Sequence, residues 1–185
     1  GQFKAIKDGG PPIGSWSSGG NLPASYINIG AFGGRDSVTT GGGSTSTAIV
    51  GDSFQYNGVA WSEIAELNTA RDQSAGLGTQ NSGLVAAGYR LSPGAIVGVV
   101  ENWNGSSWTE VNNLTTARQN LAGAGTATAA VAFGGVDGAA FRGGVGVLGA
   151  GVSAFLTCDS DEFSSYMTFN TVGVTGRGLG CLFTN

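Results

Sequence analysis

Apolar residues in this chain fall in short runs separated by clusters of Gly, Ser, Asn and Thr, and no stretch carries the three-to-four spacing of an amphipathic helix. The run Gln119 to Thr126 (QNLAGAGT) predicts one strand. Ala129 to Gly135 (AAVAFGG), like Gly83 to Tyr89 (GLVAAGY), predicts a second. Ile96 to Trp103 (IVGVVENW) predicts a third and Ser107 to Val111 (SWTEV) a fourth. Short strands in sets of four, joined by Gly-rich turns with almost no helix, predict an all-β fold of radially arranged small sheets.

The pattern repeats. Tyr56 to Thr79 (YNGVAWSEIAELNTARDQSAGLGT) aligns without a gap on Trp103 to Thr126 (WNGSSWTEVNNLTTARQNLAGAGT), each matched position 47 residues apart. The shared residues are Asn57-Gly58 and Asn104-Gly105, Trp61 and Trp108, Glu63 and Glu110, Leu67 and Leu114, Arg71 and Arg118. Asn-Gly beside an aromatic predicts a hairpin with a type I′ turn, whose two central residues take φ > 0, and the Trp falls on its second strand. Upstream, Trp16 precedes Trp61 by 45 residues, Leu22 follows it as Leu67 follows Trp61, and Gly30 to Gly43 reads as a poorer strand pair. Downstream, Thr175 to Asn185 resembles Thr116 to Thr126 and sets Arg177 opposite Arg118. The expected organisation is one repeat domain over residues 1–185. It comprises a degenerate unit at about 11–53, clear units at 54–100 and 101–135, an insertion at about 136–156 and a partial unit at about 157–185.

A residue that recurs in each unit serves architecture more readily than chemistry, because a catalytic site needs one asymmetric constellation. Trp61 and Trp108 are therefore expected to pack between neighbouring units, with ligand stacking as the alternative. Arg71 and Arg118 are expected to bond backbone carbonyls or to pair with Glu63 and Glu110. Leu67, Leu114, Gly134 and Gly135 complete the set of structural repeat positions.

Composition narrows the function classes. Charged residues are 11% of the chain, against roughly 25% in ordinary globular proteins. Gly fills 35 of 185 positions, yet 41% hydrophobic and 9% aromatic residues argue against disorder. The net charge is −4 and no Lys/Arg cluster could track a phosphate backbone, so nucleic acid is not an expected partner. Gly143 to Cys158, the longest weakly polar stretch, is too short and too Gly-rich for a helical membrane span. The first residues, GQFKAIKDGG, lack the apolar core of a secretory signal.

The chain has no histidine, which removes Ser-His-Asp and Cys-His nucleophilic sites. Asp159, Asp161 and Glu162 form the one acidic cluster; a solvated turn is preferred over a hydrolytic pair or a Ca²⁺ loop. Cys158 and Cys181 read as free thiols; a bond between them would be worth about 3 kcal/mol, and two thiols without histidine cannot build a zinc site. Gly41 to Gly43 lacks the Lys-Ser/Thr pair of a phosphate loop and reads as a Gly pair ending a strand. The sequons at Asn104 and Asn113 need no glycan, since a turn explains the first. No catalytic residue, cofactor or metal is expected.

In this order the features resemble the kelch repeat, which makes four-stranded propeller blades of about 50 residues. The resemblance rests on AVAFGG ending at Gly134-Gly135, Trp103 before Trp108, then Leu114 and Arg118; the other copy keeps Tyr56, Trp61, Leu67 and Arg71 but has Ala87-Gly88 in place of the Gly pair. It covers residues 54–135. It implies a small or incomplete β-propeller, closed by its first segment pairing with its last or completed by neighbouring subunits, which is the reading we prefer. The copper held by some kelch propellers needs two imidazoles that this chain lacks. The wording NGSSWTEVNNLTTAR followed by LAGAGTATAAVAFGG also resembles kelch-like repeats of marine bacteriophage virion proteins of the tail-fibre type. This implies a non-enzymatic structural or adhesive protein at the virion surface, with other virion proteins, copies of itself or a host-surface glycan as partners. A soluble kelch-type protein-binding scaffold and, more weakly, a carbohydrate-active enzyme are the alternatives.

Overall fold

The computed structural model of the chain describes residues 18–149, 155–156, 168–171 and 174–177. Among these residues there is no helix. The strands form three four-stranded antiparallel sheets in chain order, each a simple meander. Sheet 1 comprises β1 (Gly30–Gly34), β2 (Ser37–Ser44), β3 (Ile49–Tyr56) and β4 (Trp61–Glu63). Sheet 2 comprises β5 (Ala75–Thr79), β6 (Ser82–Arg90), β7 (Ala95–Trp103) and β8 (Trp108–Val111). Sheet 3 comprises β9 (Ala122–Gly125), β10 (Ala129–Phe133), β11 (Val145–Gly149) and β12 (Phe155–Leu156), and a hairpin of β13 (Thr168–Thr171) and β14 (Val174–Arg177) follows. The segment expected as an insertion, 136–156, supplies the third and fourth strands of sheet 3.

Each sheet starts with a strand against its predecessor: β5 packs on β1, and β9 on β5. Among the described residues no comparable packing joins β9 to β1. Sheet 2 is consequently buried on both faces, which is why Leu84, Val85, Ala86 and Ala87 run together without a polar residue. Val85, Trp103 and Trp108 share a core with Phe32 and Leu67 on the side of sheet 1. Leu77, Leu84, Ala86 and Val100 share another with Ala130 of sheet 3.

Two local expectations are corrected. The hairpin loops Asn57 to Ala60 and Asn104 to Ser107 are four residues long, and only Gly58 and Gly105 take positive φ. A type I′ turn would need both central residues there. Instead the Asn57 Oδ1 accepts the amides of Val59 and Ala60, and the Asn104 Oδ1 accepts those of Ser106 and Ser107. Likewise Gly41 to Gly43 does not end a strand; β2 runs on to Ser44 through a bulge between Gly41 and Gly43. The same bulge recurs in β6 between Ala86 and Gly88. The left-handed residue is Gly42 (φ 70°) in one and Ala87 (φ 59°) in the other, with Gly134 (φ 72°) in the equivalent place after β10.

Candidate functional site: the joints between consecutive sheets

The repeated residues converge where one sheet gives way to the next. Each linker forms a backbone bridge to the strand beside it or, in sheet 3, to the loop just after β10: Ile27 with Ser44, Asp72 with Tyr89 and Gln119 with Val136, spaced by 45 and then 47 residues. The next residue of each linker, Asn28, Gln73 and Asn120, has positive φ near 55°. This turn aims the amide of Gln73 at the Asn28 carbonyl and that of Asn120 at the Gln73 carbonyl, both 2.9 Å. The bulges add a second tie: the Gly43 amide donates to the Arg71 carbonyl and the Gly88 amide to the Arg118 carbonyl. A Cβ at Gly42 would lie 2.3 Å from the Arg71 carbonyl oxygen, so this joint closes only over glycine.

Side chains fill the joint. Leu67 is buried, and its amide donates to the Gly51 carbonyl as the Leu114 amide does to Gly98. Leu114 is half-buried against the core between sheets 2 and 3. Trp108 sits between sheets 1 and 2, its Nε1 donating to the Ala65 carbonyl at 2.9 Å and its ring edge-on to Phe32. Trp61, its repeat partner, is half-buried and donates to the Gly20 carbonyl at 3.0 Å.

Arg71 and Arg118 take equivalent places and different partners. Arg71 is wholly buried, bonds the carbonyls of Thr69 and Val85, and pairs with Glu101 on β7 at 2.5 Å. Glu101 is equally buried and also accepts the amides of Asn68 and Thr69 and the Asn68 side-chain amide. Burial pulls the Arg71 guanidinium's pKa below its ordinary value, and the charge of Glu101 opposes that shift. Arg118 donates to the carbonyls of Gly134 and Gly144; burial and the neighbouring Arg142 lower its pKa too. The expected carbonyl bonds are present at both arginines. The alternative pairing with Glu63 and Glu110 is not: Glu63 is exposed on β4, and Glu110 accepts from Asn113. The carboxylate paired with Arg71 is Glu101, which does not recur between the units because the β3 position in the same register is Phe54. Its one available signal was a charge inside the mostly apolar run IVGVVENW.

Gly134 and Gly135 carry the chain from β10 into the loop 134–144, where the Gly135 carbonyl accepts the Arg142 amide. Asp137 staples this loop. Its Oδ1 accepts the amides of Ala139 and Ala140, and its Oδ2 accepts Arg142 Nε at 2.7 Å and the Arg142 Nη2. The Arg142 bond and then the two amides hold its pKa at about 2, below the ordinary 3.8. A carboxylate with a depressed folded pKa contributes stability above its ordinary pKa and loses that contribution as pH falls through the depressed value. Acidification from pH 4 to about 2 is thus expected to loosen this loop, read as faster exchange of the Ala139 and Ala140 amides. Asp137→Asn should abolish the acid step; an unchanged step would place its origin elsewhere.

Trp16, the acidic cluster Asp159, Asp161 and Glu162, and Cys158 and Cys181 lie outside the described residues. Among the described residues no three His, Cys, Asp or Glu side chains gather as a metal site, and no helix is long and apolar enough to cross a membrane. What the joint can do chemically is limited by access. Arg71 and Glu101 are both fully buried and bond one another, so the pair ties the linker before sheet 2 to β7. The chain matches no known protein-family model, and no curated protein matches it.

Proposed function

We propose that this chain is a non-enzymatic, kelch-like repeat protein of a bacteriophage virion, a rigid β body serving assembly or attachment to the host surface. One observation carries the non-enzymatic half: the recurring Trp108, Arg71 and Arg118 turn inward and are consumed in joining sheets. A row of four-stranded meanders ordered by the chain supports propeller-like blades, and the resemblance of NGSSWTEVNNLTTAR to virion repeats supports the location. The low content of charged side chains and the Gly, Ser, Thr and Asn turns suit an exposed particle surface. Mass spectrometry of purified particles from the phage that encodes the chain tests the reading. Peptides of the chain at structural abundance are expected, and particles without them would overturn it.

A further inference from the structure

We infer that the face of sheet 1 left uncovered by the described residues docks on the corresponding uncovered face of sheet 3 in a second copy of this chain, giving head-to-tail assembly. The inference deepens the assembly half of the proposed function and rests on it. Its basis is a packing unit that occurs twice, once covered and once not. Trp103 and Trp108 stack with ring centroids 5.2 Å apart and planes at 43°; Tyr56 and Trp61, at the same register in sheet 1, stack at 5.0 Å and 38°. Both indoles donate to the carbonyl of the linker upstream, Ala65 for Trp108 and Gly20 for Trp61, positions again 45 residues apart.

The difference is what lies beyond. Trp103 and Trp108 are 1% and 6% exposed because sheet 1 covers them with Phe32 and the bare backbone of Gly41, where a Cβ would lie 3.2 Å from Trp108 Cζ2. Among the described residues no sheet precedes sheet 1, and Tyr56 and Trp61 remain half-buried beside Val59, which is 78% exposed. The repeat itself therefore names the occupant: the downstream face of another sheet of this kind. Sheet 3 has such a face. Ala130 and Ala132 are buried, Ala130 against sheet 2, so by strand alternation Val131 and Phe133 point the other way, and Phe133 is 41% exposed. Among the described residues β9 shows no packing on β1 comparable to that of β5, and a second copy brings the two faces together. Such a contact joins unlike patches and propagates into a ring or a filament.

The test is sedimentation of the full chain over a concentration series, with each variant's fold checked by cooperative melting. The wild-type chain should associate, and Trp61→Ser or Phe133→Asp should each weaken association by about thirtyfold or more, the scale of a central interface aromatic. Val59→Asp, at a position exposed enough to spare the fold, should act in the same direction. Mixing the Trp61→Ser and Phe133→Asp chains should give one-to-one dimers that grow no further, since each retains one live face. A wild-type chain that stays monomeric, whether its own termini or nothing covers these faces, would overturn the inference. So would association indifferent to all three substitutions. Absence of the chain from virions would remove the proposed location and leave these results as they are.

Discussion

Glu101→Gln is expected to destabilise the chain by about 3–5 kcal/mol, the cost of removing one partner of a buried ion pair. The carboxylate is fully buried and faces donors on both oxygens: Asn68 N and Nδ2 on Oε2, Thr69 N and Arg71 Nη1 on Oε1. A glutamine of the same shape must turn its NH₂ toward one of these sets, placing donor against donor, and it leaves the Arg71 charge without a counterion. Arg71→Met paired with Glu101→Leu should cost clearly less than the two single changes added together, because the double variant leaves no orphaned charge. Urea denaturation of the wild type, the three single variants and the double variant measures this. A Glu101→Gln loss below about 1 kcal/mol, the scale of a surface pair, would contradict the assignment.

The second large effect needs no charge. Gly76 on β5 faces β1 so closely that a Cβ there would lie 2.4–2.6 Å from three backbone atoms of Ala31. Backbone cannot step aside as a flexible side-chain tip can, so Gly76→Ala must push sheets 1 and 2 apart. A loss of about 3 kcal/mol is expected, the upper part of the overpacking range. Gly34→Ala is the matched control: the added Cβ meets only the Ser37 hydroxyl, at 3.7 Å, and stability should move by about 0.5 kcal/mol or less. Equal losses in both variants would mean that strand glycines are sensitive for a reason other than sheet spacing.

These two positions mark where the sequence speaks and where it is silent. The match at an offset of 47 residues placed the Trp hairpins, the strands after Arg71 and Arg118 and the four-strand meander, because residues under the same packing demand recur in each unit. Gly76 recurs as Gly123 in the repeat match, but the reason for it, the backbone of a strand 45 residues earlier, is not written in the local sequence. Glu101 is invisible to repetition because Arg71 takes a carboxylate partner where Arg118 takes carbonyls. The Asn-Gly hairpins were legible and their turn type was not, because an Asn side chain that caps two amides and an Asn that tolerates positive φ are written with the same letter. The left-handed linker residues Asn28, Gln73 and Asn120 follow the same logic; the bond each makes to the neighbouring linker compensates a backbone cost that Gln73 by itself gives no reason to expect.

The irregular linkers, more than the turns of the sheets, bind this fold into one body. Amide hydrogen exchange tests it directly at Asn68 and Thr69, which donate to Glu101, and at Gln73 and Asn120, which donate to the preceding linker. These four amides are expected to exchange as slowly as those of β6, and Glu101→Gln to accelerate them together with the strands of sheets 1 and 2. Linker amides that exchange at loop rates while β6 stays protected would contradict it.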